Sequence, residues 1–108
     1  MEQAEFLEEN VFTDLKNLNK AKNKETVHYF SEADFATVLK RVEHLGISVY
    51  SIKTKLKTKI FGTISHEDSK KKATDSRWYN GAYMNLKSRQ EGLTYSATYK
   101  VSAKLLAR

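Results

Sequence analysis

The chain contains no cysteine and no proline, has only four glycines and one tryptophan, and shows no long apolar run. Without cysteine there is no disulfide framework, no thiol nucleophile and no Cys-ligated zinc or iron–sulfur site. The same absence fits a reducing, cytoplasmic setting. Without proline, where about five residues would be average, folding is expected to have no slow prolyl-isomerisation phase. No apolar stretch approaches the roughly 18 residues that cross a bilayer, so no membrane is expected among its partners. The first twenty residues hold five acids and two lysines. They lack the basic start and apolar core of a secretory signal. These absences point to a soluble, intracellular protein.

What is present describes one folded domain spanning residues 1–108. Apolar residues make up 40% of the chain and charged residues of mixed sign 30%. That balance argues against disorder. A chain of this size buries roughly 60–70% of its unfolded surface, enough for one core without staples. The net charge is +6, unevenly spread. Residues 1–18 carry five acids against one lysine, whereas 19–73 carry twelve bases against six acids and 74–108 six against two. An acidic head on a basic body favours self-association or occlusion of a basic surface, although several net charges also serve solubility.

Hydrophobic spacing places an amphipathic helix over 3–18, with Ala4, Leu7, Val11, Leu15 and Leu18 on one stripe, and leaves open whether it is peripheral or docks on the rest. Asn19 to Lys24 reads as a connector, and residues 26–30 (TVHYF) as a strand. Ser31 and Asp34 form a variant capping box that starts a helix with Phe35, Val38, Leu39, Val42 and Leu45 on its apolar face. Gly46 supplies its left-handed terminus. Residues 47–52 and 59–64 read as strands, with Gly62 marking a bulge or a close backbone approach. Thr74 or Asp75 caps a further helix bearing Trp78, Tyr79, Ala82, Tyr83 and Leu86. The last strand, 93–102, alternates: Tyr95, Ala97, Tyr99 and Val101 face one way, and Thr94, Ser96, Thr98 and Lys100 the other. The fold class is therefore α+β. An N-terminal helix precedes a β-α-β-β-α-β core over 26–102, the order of a ferredoxin-like split βαβ domain. Its sheet would be four-stranded and antiparallel, with helices on one face.

No local motif carries chemistry. His28, His44 and His66 have no metal-ligand spacing, and His66-Glu67-Asp68 is a contiguous triplet whose side chains diverge. No nucleophile elbow or SxxK occurs, and four scattered glycines do not cradle a phosphate. No catalytic residue, metal or cofactor is expected. A small enzyme with a site assembled from distant residues is the remaining alternative.

The most informative polar pattern is Lys53, Lys55, Lys57 and Lys59. At a spacing of two on a continuous strand, all four ammonium groups would line one side, with Lys70, Lys71 and Lys72 in the following loop. Such a stripe can follow a phosphate backbone, and it equally can guard a sheet edge. Tyr50, Phe61, Tyr95 and Tyr99 would stack bases on a bare sheet face and would pack a core beneath helices. The segment Lys59-Ile60-Phe61-Gly62-Thr63-Ile64 departs from the RNA-recognition motif, having one aromatic and a glycine placed too late. Leu7, Val11 and Leu15 on the first helix, with Trp78, Tyr79 and Tyr83, are candidates for contact with a protein partner or a second copy. The first expectation is thus a non-catalytic protein-binding or regulatory module. A nucleic-acid binder using the lysine surface is the second.

Overall fold

A computed structural model describes residues 2–18, 28–57 and 59–107 of the chain. Along it run α1 (Gln3–Asn10), α2 (Glu32–Leu45), β1 (Ser48–Leu56), β2 (Lys59–Ser65), α3 (Ser76–Arg89), β3 (Leu93–Lys100) and α4 (Ala103–Leu106). The described residues form an α+β arrangement. Its sheet is three-stranded and antiparallel, in the order β2-β1-β3. β2 and β3 thus run parallel to each other on either side of β1, with α3 as their crossover. Helix α3 packs on β1, α2 packs on β3, and the two helices touch each other.

The capping signals act as the sequence implies. The Ser31 hydroxyl accepts from the Asp34 N–H at 3.3 Å, and Gly46 closes α2 at φ 70°. Asp75 caps α3, accepting from the Arg77 N–H at 2.9 Å. The Arg77 guanidinium also donates to it, and these bonds hold its carboxyl down at about 2. Phe35, Val38, Leu39 and Val42 of α2 meet Trp78, Tyr79, Ala82, Tyr83 and Leu86 of α3 over Val49, Ile52, Leu93 and Tyr95 of the sheet. That layer is the hydrophobic core, and its burial is the main force holding helices to sheet.

Three expectations differ from the structure. The first helix ends at Asn10 rather than at residue 18. Local side chains take over its last carbonyls. Thr13 Oγ1 donates to Glu8 O at 2.9 Å and Glu9 O at 2.7 Å, and Asn10 Nδ2 donates to Phe6 O at 3.0 Å. Asp14 then turns the chain at φ 67°. Arg41 pins the turn by donating to Val11 O at 2.8 Å and Thr13 O at 2.7 Å. The open question of its docking is answered by Phe6 and Leu7 of α1, with Val11 and Phe12 just beyond it, which belong to the core.

Of the expected first strand, 26–30, only residues 28–30 are described. Residues 26 and 27 lie outside the described residues, and 28–30 meet the sheet through one bridge, Phe30 to Tyr95, with both N–H···O bonds at 2.8 Å. The backbone of Tyr29 is engaged elsewhere: its N–H donates to Asn17 Oδ1 at 3.0 Å, and its carbonyl accepts from Leu18 N–H at 2.6 Å. Among the described residues the sheet is three-stranded, and the four strands of the ferredoxin-like arrangement are not seen there.

The third difference is one of length: β1 runs on to Leu56, past the expected end at residue 52, and Lys57 follows it in the left-handed region at φ 59°. The register slips between Thr54 and Lys55, where Gly62 faces Thr54 but Ile60 faces Lys55. Phe61 is the extra residue of this bulge. The Thr54 hydroxyl fills the resulting gap in the ladder, donating to Gly62 O at 2.9 Å and accepting from Gly62 N–H at 3.1 Å.

Candidate nucleic-acid interface

The helices occupy one face of the sheet. On the other, the strands place Ser51, Lys53 and Lys55 from β1, Thr63 and Ser65 from β2, and Thr94, Ser96, Thr98 and Lys100 from β3; Ser96 is buried, and the buried Tyr29 ring lies 4.4 Å from the Lys55 ammonium, so this face is not open throughout. Their placement follows from register, because residues directly opposed in an antiparallel pair share a face. Lys53 lies opposite Thr63 and Ser96, and Lys55 opposite Ile60 and Thr94. The hydroxyls of Ser51 and Thr98 approach to 3.1 Å across the ladder. None of the three strands contains an aspartate or glutamate. The face is therefore a carpet of hydroxyls carrying positive charge. Its one large apolar side chain is Ile60, 61% exposed.

The four-lysine stripe does not survive the hairpin. Lys53 and Lys55 share the face opposite α2 and α3, Lys53 exposed and Lys55 partly buried. Lys57 sits in the turn, and Lys59 opposes Leu56, which puts it on the other face. Lys70, Lys71 and Lys72 are exposed in a loop that leaves β2 at Ser65, at the end of the sheet away from Lys57. That loop is tied down. Asp68 Oδ2 accepts from Ser65 N–H at 3.0 Å, Lys71 N–H donates to His66 O at 3.1 Å, and His66 Nδ1 lies 2.9 Å from Lys71 O. The two groups of lysines do not form one surface. Lys100 was missed as a site residue. The alternation of the last strand assigns it a face, but only the strand order puts that face beside Lys53.

The aromatic candidates are mostly withdrawn. Tyr95 is fully buried between Phe35 and Tyr83, with ring centroids 5.3 Å from each. Tyr99 packs edge-on to Phe12, and its hydroxyl is buried. Phe61 lies 5.5 Å from the Arg89 guanidinium. Tyr50 remains exposed at 39%, at the head of β1 and 5.7 Å from the His66 ring. A base-stacking platform built from all four is therefore ruled out by the packing of the helices.

The residues expected to meet a protein partner are in the core. Trp78 is 1% exposed, and its indole N–H donates to Val49 O at 3.1 Å. Leu7, Val11, Tyr79 and Tyr83 are buried with it, and Leu15 is packed against them. Burial pushes the Tyr79 phenol up to about 12, with Glu43 and Asp75 adding to the shift. These side chains have little surface left to offer, and their role as a docking stripe is withdrawn.

Two shallow hollows mark the surface elsewhere. One of about 240 Å³ is lined by Asn10, Lys40, Arg41, His44 and Leu45. Another of about 300 Å³ lies between α1 and β3 and holds Glu8 and His28, whose Oε1 and Nε2 are 4.0 Å apart. Among the described residues no group of three or more His, Asp and Glu side chains gathers to hold a metal. No described helix is long and apolar enough to cross a membrane. No protein-family model matches the chain, and no curated protein or solved structure matches it either.

Proposed function

We propose that the protein is a non-catalytic binding module that holds nucleic acid by its phosphates on the lysine-bearing face of the sheet, opposite α2 and α3. One observation carries this reading: Lys53, Lys55 and Lys100 share a face with Ser51, Thr63, Thr94 and Thr98, and no strand contributes a carboxylate. Lysine supplies point charge to phosphate, and hydroxyls and amides supply the short bonds that fix register along a backbone. The reading displaces a protein-binding role because the side chains that suggested that role are consumed by the core. A cytoplasmic location suits a chain without cysteine.

The test is fluorescence anisotropy with a labelled oligonucleotide at low salt, comparing the wild type with the triple variant Lys53→Gln, Lys55→Gln, Lys100→Gln. Binding by the wild type and its loss in a variant with an unchanged far-UV spectrum supports the proposal. Equal affinity in the two proteins refutes it.

A further inference from the structure

The hollow of about 240 Å³ beside α2 is lined by three basic side chains, Lys40, Arg41 and His44, together with Asn10 and Leu45. Lys40 and His44 stand one helical turn apart, and Arg41 lies three residues before His44, so the three share a face of α2. Among the described residues, none of them is in an ion pair. Glu43, the acid nearest to them in sequence, acts instead on the Tyr79 phenol of α3. Basic groups are thus gathered at this hollow without a carboxylate to offset them.

Arg41 is the ordered member of the group. Its Nη1 commits both hydrogens, to Val11 O at 2.8 Å and to Thr13 O at 2.7 Å. Those two bonds fix the plane of the guanidinium. Of its five N–H donors, the three on Nε and Nη2 have no partner among the described residues. Nε and Nη2 form the side-on edge, whose two parallel N–H groups match a pair of oxygens on a carboxylate or phosphate. A helix C-terminus opposes a bound anion through its free carbonyls. Here that opposition is blunted, because Gly46 N–H and Ile47 N–H already donate to the carbonyls of Glu43 and Val42.

The size and charge of the hollow narrow the ligand. It is smaller than the roughly 300 Å³ at which pockets for drug-sized ligands begin, so it suits a small headgroup. A carboxylate has only the two oxygens that the Arg41 edge takes. A phosphomonoester carries close to two negative charges at neutral pH and offers a third oxygen.

We infer that this hollow, on the helical side of the molecule and apart from the lysine-bearing sheet face, binds the phosphate group of a phosphomonoester. Two of its oxygens sit on the Nε–Nη2 edge of Arg41, and the third faces Lys40 and His44.

The experiment records ¹H–¹⁵N spectra of the wild type, arginine Nε–H signals included, during titration with inorganic phosphate, AMP or phosphoserine. Potassium chloride at matched ionic strength is the control. The expected result is a saturable shift of the Arg41 Nε–H and of the backbone signals of residues 10–13 and 40–46, absent with chloride. The double variant Lys40→Gln, His44→Gln should weaken binding by about threefold to tenfold, and it leaves in place Arg41, which pins the turn after α1. No saturable shift beyond that of chloride overturns the inference. So do shifts confined to the surroundings of Lys53, Lys55 and Lys100, or equal affinity in the double variant. Inorganic phosphate that binds while both esters fail overturns the assignment of ligand class. Tighter binding of AMP supports the inference with a nucleotide as the source of the phosphate, and tighter binding of phosphoserine supports it with a modified side chain as the source.

Discussion

The ammonium of Lys55 rests 4.4 Å from the centre of the Tyr29 ring. This contact joins the sheet to the segment that bridges β3 at Phe30, and it separates Lys55 from its neighbour Lys53, which is exposed. The two lysines should therefore behave differently when changed. Lys55→Gln is expected to lower stability by about 0.5–1 kcal/mol as well as weaken nucleic-acid binding. Lys53→Gln should weaken binding while leaving stability within about 0.5 kcal/mol. Urea unfolding of Lys55→Gln, Tyr29→Leu and the double variant measures the coupling. A coupling energy of zero would remove the contact from the account.

The hydroxyls of Tyr95 and Tyr99 are buried without a hydrogen-bond partner among the described residues. Removing such a group relieves a desolvation penalty and leaves the ring packing in place. Tyr95→Phe and Tyr99→Phe should each be neutral or stabilising by up to about 1–2 kcal/mol. Thermal unfolding checks this, and a clear loss of stability in either variant would mean that its hydroxyl is bonded.

Thr54 is fully buried, and its hydroxyl serves both the N–H and the carbonyl of Gly62 at the bulge. Thr54→Val keeps the volume and strands both groups. The expected loss is about 1–3 kcal/mol by urea unfolding. A cost below about 0.5 kcal/mol would show that the bulge repairs its own ladder.

Burial raises the phenols of Tyr79 and Tyr95 from near 10 to about 12, and raises those of Tyr83 and Tyr99 as well. An unfolded tyrosine releases its proton near pH 10, while Tyr79 and Tyr95 in the folded protein hold theirs to about 12. The folded state then binds more protons than the unfolded one, so stability falls as pH rises through that window. Melting temperatures recorded from pH 8 upward should decline from about pH 10. Tyrosinate absorbance should appear together with unfolding. Ionisation of all the tyrosines near pH 10 with the fold intact would contradict the burial described here.

Much of the fold was legible because its signals are local. Ser31, Asp34 and Gly46 mark α2 through bonds within a few residues of each cap. The alternation of β3 reports its two faces directly. The missing parts depend on contacts that spacing does not encode. A helical stripe through Leu15 is readable, but the competing bonds from Thr13 and Asn10 that end α1 are not. The lysine repeat appeared continuous because Lys57 turns the chain without a glycine or an asparagine at that position. The strand order that puts Lys100 beside Lys53, and the tie of Tyr29 to Asn17, are long-range pairings that no window of sequence contains. The candidate interface was therefore half legible: Lys53 and Lys55 were named and alternation put Thr94, Thr98 and Lys100 on one face, while their place beside β1 emerged only from the register.

The most direct test of the central claim is the salt dependence of oligonucleotide binding. With three lysines facing the phosphates, log K against log salt should fall with a slope of about −2 for a single strand, at ~0.7 per neutralised phosphate. Each Lys→Gln change at 53, 55 or 100 should make that slope shallower by about 0.7. A slope near zero, or one that the three substitutions leave untouched, would contradict phosphate recognition by this face.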